Sequence, residues 1–159
     1  MKKLLTALML LAAATTLNAA TDGYIMLSVF SPGQIPIATT SLDGVRLNII
    51  YGECQNINGL DVGLVGRVRE NANGLQIGLA NSVGTDATGC QLALVNFVEA
   101  EFNGFQFALW NDVDGTATGF QLGLVNCAKE LNGLQIGLVN WIDEPHPTCR
   151  CLPIVNFGW

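Results

Sequence analysis

The sequence predicts an all-β fold, a β-solenoid of about eight fifteen-residue coils, and three observations carry that prediction. One phrase recurs down the chain: GLQIGLAN at 74–81, CQLALVN at 90–96, GFQFALWN at 104–111, GFQLGLVN at 119–126 and GLQIGLVN at 133–140. The glycines that open the units fall at Gly44, Gly59, Gly74, Gly89, Gly104, Gly119 and Gly133, five steps of fifteen and one of fourteen. Within each phrase apolar and polar residues alternate, the period of a strand with one buried face.

The chain divides into four parts. Residues 1–20 have the layout of a secretory signal peptide: Lys2 and Lys3, an apolar run from Leu4 to Leu17, and the small residues Ala19 and Ala20 for cleavage. Residues 21–43 form a leader or cap strand, 44–148 the tandem repeats, and 149–159 a degenerate last repeat with a C-terminal cap. Past the signal peptide no apolar run is long enough for a membrane helix. Cleavage would take the positive count from 7 to 5 against 13 acids, leaving a net charge of 5 − 13 = −8. Such a charge disfavours nucleic acid as a partner, because phosphate binding needs clustered cations.

With the glycine as position zero, positions one, three and five are apolar, as in Leu75, Ile77 and Leu79. These are expected to face inward. A second apolar residue recurs at position nine, as in Val68, Val83, Val98 and Val113. One unit alone cannot bury enough surface to order its own backbone, so the units must share burial and backbone pairing in a cooperative array.

In a solenoid, position two places Gln76, Gln91, Gln106, Gln121 and Gln135 in one column. Position seven does the same for Asn81, Asn96, Asn111, Asn126 and Asn140. Stacked identical amides can hydrogen-bond along such columns, as in parallel in-register sheets. The alternative is an antiparallel up-and-down β-sheet or barrel with one strand per unit. A thirty-residue alternation before the glycines (Ala87-Thr88, Phe102-Asn103, Ala117-Thr118, Leu131-Asn132) and the aromatic ending Phe157-Gly158-Trp159 favour that alternative. The uniform linkers, longer than hairpin turns, oppose it.

The GLQIGLVN units, the segment LSVFSPGQIP (27–36), the first unit RLNIIYG (46–52) and the ending LPIVNFGW together resemble the bacterial surface-repeat proteins of leptospiral type. The likeness spans nearly all of the chain after the signal peptide. It implies an exported or surface-associated repeat protein, and it brings no catalytic residues with it.

Site candidates are few. His146, the single histidine, lies near Cys149 and Cys151, and a Cys/His/carboxylate cluster could hold a soft metal. An exposed, proline-stiffened loop explains the same residues, and no metal or cofactor is expected. The carboxylate pairs Glu99/Glu101 and Asp112/Asp114 fall in linkers and read as solvated acidic turns. No activated-nucleophile motif is present. Five cysteines in an exported chain leave at least one unpaired within the molecule. No two of them share a unit position in adjacent coils, so the stacking register predicts no disulfide.

The expected function is therefore that of an exported, non-enzymatic structural or interaction module in the periplasm or at the cell surface, with protein or carbohydrate as partner. A small outer-membrane β-barrel is the alternative, and the one form in which membrane association is expected. The inward assignment of the Leu positions predicts that Leu124→Asp unfolds the array and that Gln121→Ala is tolerated.

Overall fold

Fifteen residues carry the chain once round and return it to the same place one layer further on. The structure, a computed structural model, describes residues 23–30, 33–35, 38–144 and 151–158. The unit that begins near Gly74 shows the course. Strand β5 (Ala72–Ile77) runs along one side, Gly78 and Leu79 turn a corner, and β6 (Ala80–Val83) runs along the second side. Gly84 to Asp86 then lead into the next layer, where β7 (Ala87–Leu92) lies on β5 and β8 (Val95–Val98) on β6.

Pairing between layers is parallel and in register: Gly74 with Gly89, Gln76 with Gln91, Asn81 with Asn96, Val83 with Val98. The same registers continue below through β3 (Leu42–Cys54) and β4 (Ile57–Val68). Above, they continue through β9 (Phe102–Phe107), β10 (Trp110–Leu122) and β11 (Val125–Ile142). The corners are paired as well. Leu79 N donates to Leu64 O (2.8 Å), and Leu94 N to Leu79 O (2.9 Å). Each layer thus satisfies the backbone of the one beside it. This is a β-solenoid. It is neither the antiparallel sheet nor the barrel of the alternative reading, so the outer-membrane barrel has no basis in this fold.

The glycine at position zero has a steric cause. At Gly89 φ is +123°, and a Cβ there would overlap the carbonyl of Gly74 in the layer before. Only glycine permits both the backbone angle and the close stacking.

The regular stack makes about six turns, the number of steps between the seven opening glycines. This is fewer than the eight coils expected, because both chain ends depart from the coil. At the start, β1 (Gly23–Phe30) lies parallel on β3, with Met26 beside Arg46 and Ser28 beside Asn48. Short β2 (Gly33–Ile35) folds back antiparallel on β1, and the side-chain amide of Gln34 bonds both backbone groups of Glu53. At the other end β12 (Cys151–Gly158) runs antiparallel on β11, so the last segment is a reversed cap. Asn156 accordingly sits beside Gln135 and not in the Asn column, where its place in the phrase would have put it.

Two irregular units show where length is absorbed. The fourteen-residue unit loses its residue in the turn: Val113 still pairs with Ala128 and Ala117 with Leu131. In the first unit Asn48 pairs with Gly63 and Tyr51 with Val65, which leaves Ile49 and Ile50 opposite Leu64 alone. Cys54 consequently pairs with Val68, in the inward column, although it is the tenth residue after its glycine. Both changes are local register shifts within the long strands, at the corner and the turn of the coil. The pairings on either side keep their faces, which a one-residue slip carried along the strand would reverse.

The faces are the reverse of the sequence expectation. Gln121 is 1% exposed and Leu124 is 49% exposed. Throughout the stack the inward positions are two, seven, nine and the residue two before the glycine, as in Gln76, Asn81, Val83 and Ala72. Positions one, three and five point outward. Alternation distinguishes two faces without saying which is inside, and here the amides can be buried because the stack itself satisfies them.

Candidate functional site

The interior is half polar and half apolar. The apolar half combines position nine with the residue two before the glycine, and includes Val68, Val83, Val98, Phe102 and Ile142. The polar half holds the two amide columns. In the first, Nε2 of each glutamine donates to Oε1 of the one before: Gln91 to Gln76, Gln106 to Gln91, Gln121 to Gln106 and Gln135 to Gln121, at 2.7 or 2.8 Å. In the second, Nδ2 of each asparagine donates to Oδ1 of the next: Asn81 to Asn96, Asn96 to Asn111, Asn111 to Asn126 and Asn126 to Asn140, at 2.8 or 3.0 Å. The columns run in opposite senses, so their amide dipoles oppose one another across the interior.

The asparagines do a second job. Asn111 Nδ2 also donates to Leu122 O (3.1 Å) and Asn126 Nδ2 to Ile136 O (2.9 Å), which pins the backbone just before the corner. At the C-terminal end Asn140 Nδ2 reaches Leu152 O (3.0 Å) and ties the reversed cap to the stack. Gln135 Oε1 and Asn156 Nδ2, a buried acceptor and a buried donor on register partners, are both without a hydrogen bond among the described residues.

The glutamine column ends on charge. In the two earliest units its place is taken by Arg46 and Asp61, both buried. Arg46 Nη2 lies 2.5 Å from Asp61 Oδ2, and Arg46 Nε 2.8 Å from Oδ1. Asn48 Nδ2 (2.8 Å) and Gln76 Nε2 (3.2 Å) also donate to this carboxylate. The column thus directs its N–H ends at an anion, a charge-assisted termination. Arg46 Nη1 donates to Arg67 O and to the thiol sulfur of Cys54, each at 2.9 Å. Burial works to lower the Arg46 pKa, but the hydrogen bond and charge of Asp61 outweigh it and the guanidinium stays charged. Burial pushes the Cys54 thiol up to about 11. Position seven of the Asp61 unit is Gly66, and a side chain there would collide with this pair.

The outer surface is divided by sides. Positions one, three, five and six form an apolar face and corner along the stack, including Leu79, Leu94, Phe107 and Leu109. Among the described residues no charged side chain points outward at these positions. The rings of Phe105 and Phe120 stack on it, with centroids 5.2 Å apart and planes 9° apart. The opposite edge, made by the turns, is charged. Glu70, Asp86, Glu99, Glu101, Asp114 and Glu144 stand there exposed. Arg69 answers Glu53 at 2.8 Å and holds that carboxyl below its usual range.

One shallow hollow of about 180 Å³ on this edge is lined by Asp112, Asp114, Cys127, Trp141 and Asp143, among others. Burial first, then the charges of Asp114 and Asp143, push the Asp112 carboxyl up. A second hollow of about 250 Å³ adjoins Glu99, Asp112 and Asp114. Among the described residues no group of His, Cys, Asp and Glu is arranged to hold a metal ion. Of the metal candidates, His146 and Cys149 lie outside the described residues, and Cys151 is exposed on β12.

The structure thus brings the ten column residues together, Gln76, Gln91, Gln106, Gln121 and Gln135 with Asn81, Asn96, Asn111, Asn126 and Asn140. It buries them all, so no amide ladder is offered to a carbohydrate. The sequence reading missed the Arg46–Asp61 pair, whose signal is two opposite charges fifteen residues apart at the glutamine position. It also missed the outward apolar face. No protein-family model matches this chain, and no curated protein or solved structure matches it either.

Proposed function

We propose that this protein is an exported, non-enzymatic interaction module of the cell envelope that works through its outward apolar face. One observation carries the reading: a face of exposed Leu, Ile, Val and Phe side chains, free of charge, runs the length of the stack. A contiguous apolar surface of that kind ordinarily marks a contact site. The interior is filled by its own side chains, and their amides are used in holding layer to layer. Recognition therefore falls to the outside. The signal-peptide layout of residues 1–20 and the likeness to bacterial surface-repeat proteins support export to the periplasm or cell surface.

Expression of the full chain in a Gram-negative host, followed by fractionation and intact-mass measurement, tests both parts. The expected result is a chain shortened by 19 or 20 residues, recovered outside the cytoplasm in a complex, with itself or with an envelope component, that Leu94→Glu dissociates. An unprocessed cytoplasmic chain, or an identical association state of parent and variant, overturns the proposal.

A further inference from the structure

We propose that the occupant of the apolar face is a second copy of this chain, packed face to face about a two-fold axis. This rests on the reading of that face as the contact surface and adds the identity of what covers it.

The first argument is size. Seven layers at ~4.8 Å give about 34 Å along the stack, and seven residues at ~3.3 Å give about 23 Å across the face and corner. The corner and the uneven rims reduce that rectangle to roughly 600–700 Å². The largest apolar patch on an ordinary monomer is about 300–600 Å². Each partner in a stable complex buries about 800 Å². The face therefore exceeds the usual apolar patch of a monomer and approaches what one half of a dimer requires.

The second argument is shape. The face consists of parallel rows repeating at the layer spacing, and a second copy is a surface with that same spacing. Two such sheets pack about 10 Å apart with the side chains of one lying between those of the other. A two-fold arrangement lets one patch serve as both halves of the contact. The stacked rings of Phe105 and Phe120, in the fifth and sixth of the seven layers, supply an aromatic anchor within the interface.

The third argument is charge. The acids occupy the turn edge, on the side away from the apolar corner, so two copies can meet without setting carboxylates against each other. A lipid surface is the poorer match. A peripheral membrane face usually has lysine and arginine at its margin. Here Arg46 is buried, Arg69 is paired with Glu53, and Lys129 stands on the acidic edge beside Glu144, which leaves Arg67 as a single exposed arginine near the corner among the described residues. The net charge of −8 expected for the processed chain also repels anionic lipid.

Sedimentation equilibrium on the processed full chain, alone and with Phe107→Glu, Leu109→Glu or Asp114→Lys, tests the proposal. Phe107 and Leu109 are 48% and 53% exposed, so charge there leaves the interior alone; circular dichroism melts verify folding. The expected result is twice the monomer mass for the parent and for Asp114→Lys. The two face variants are expected to dissociate at least tenfold more readily, with melts near the parent's. A dimer unaffected by both face variants overturns the proposal. So does a parent that stays monomeric yet floats with phosphatidylcholine or phosphatidylglycerol vesicles, although the contact-face reading then stands. A monomer that binds neither vesicles nor envelope components overturns both.

Discussion

The guanidinium of Arg46 and the carboxylate of Asp61 lie one layer apart in the same inward column, joined by two hydrogen bonds of 2.5 and 2.8 Å. Five glutamines continue that column, so the pair works as its first two rungs. Below it Met26 from β1, itself fully buried, closes the column. The layers cannot shift by a rung without placing a lone charge among neutral amides.

Removing one partner should therefore be far worse than replacing both. Arg46→Gln leaves Asp61 as an uncompensated buried charge and should cost about 3–5 kcal/mol. Arg46→Gln combined with Asp61→Gln extends the glutamine column to seven rungs and should recover most of that loss. Urea denaturation of the two single variants and the double variant gives the coupling directly, expected at about 2 kcal/mol or more. Additive losses would mean that the column does not accept neutral rungs there.

The exposures of Gln121 and Leu124 invert the expectation drawn from the alternating pattern. Gln121→Ala strands Gln106 Oε1 without its donor and Gln135 Nε2 without its acceptor, both in a dry interior. The expected loss is about 2–5 kcal/mol. Leu124→Asp places a charge on the outer corner and should shift stability by no more than about 1 kcal/mol. Thermal melts at a concentration below any self-association compare the two; a larger loss in Leu124→Asp would reverse the face assignment again.

Gly89→Ala should be among the most damaging single-methyl changes available. The new Cβ meets the carbonyl of Gly74 at a backbone angle of +123°, so both layer spacing and backbone must give way. A loss above about 3 kcal/mol is expected, seen as a lowered urea midpoint. Asp114→Ala, in the exposed turn, is the mild comparison.

The buried thiol of Cys54 supplies a pH test. Burial raises its pKa from 9.0 to about 11, with the Arg46 charge opposing, so the folded chain holds this proton more tightly than the unfolded one. The stabilisation is complete below pH 9 and is lost as pH rises toward 11. Iodoacetamide at mildly alkaline pH should label exposed Cys151 promptly and Cys54 only after unfolding, read by peptide mass mapping. Rapid labelling of Cys54 in the folded chain would show that the column end is open to solvent.

Much of this was legible in the sequence, and the failures are instructive. Constant glycine spacing required identical residues to return to equivalent places, which is why Gln76 lies beside Gln91 and Asn81 beside Asn96. The inversion was also within reach. Asn81 and Val83 are two residues apart and must share a face, so an inward Val83 commits Asn81 to the interior. The opposite charges at Arg46 and Asp61, standing where later units have glutamine, pointed to a buried pair.

By itself the sequence determined the repeat length, the all-β character and the alignment of like residues from coil to coil, because these follow from period alone. Only the tertiary structure decided which face looks inward, since an alternating pattern is unchanged in kind when it is turned over. It also decided the count of regular turns, through the reversal of β12. The reason is physical. A buried amide is favourable only when the neighbouring layer supplies its partner, and that partner lies fifteen residues away in sequence and one strand spacing away in space.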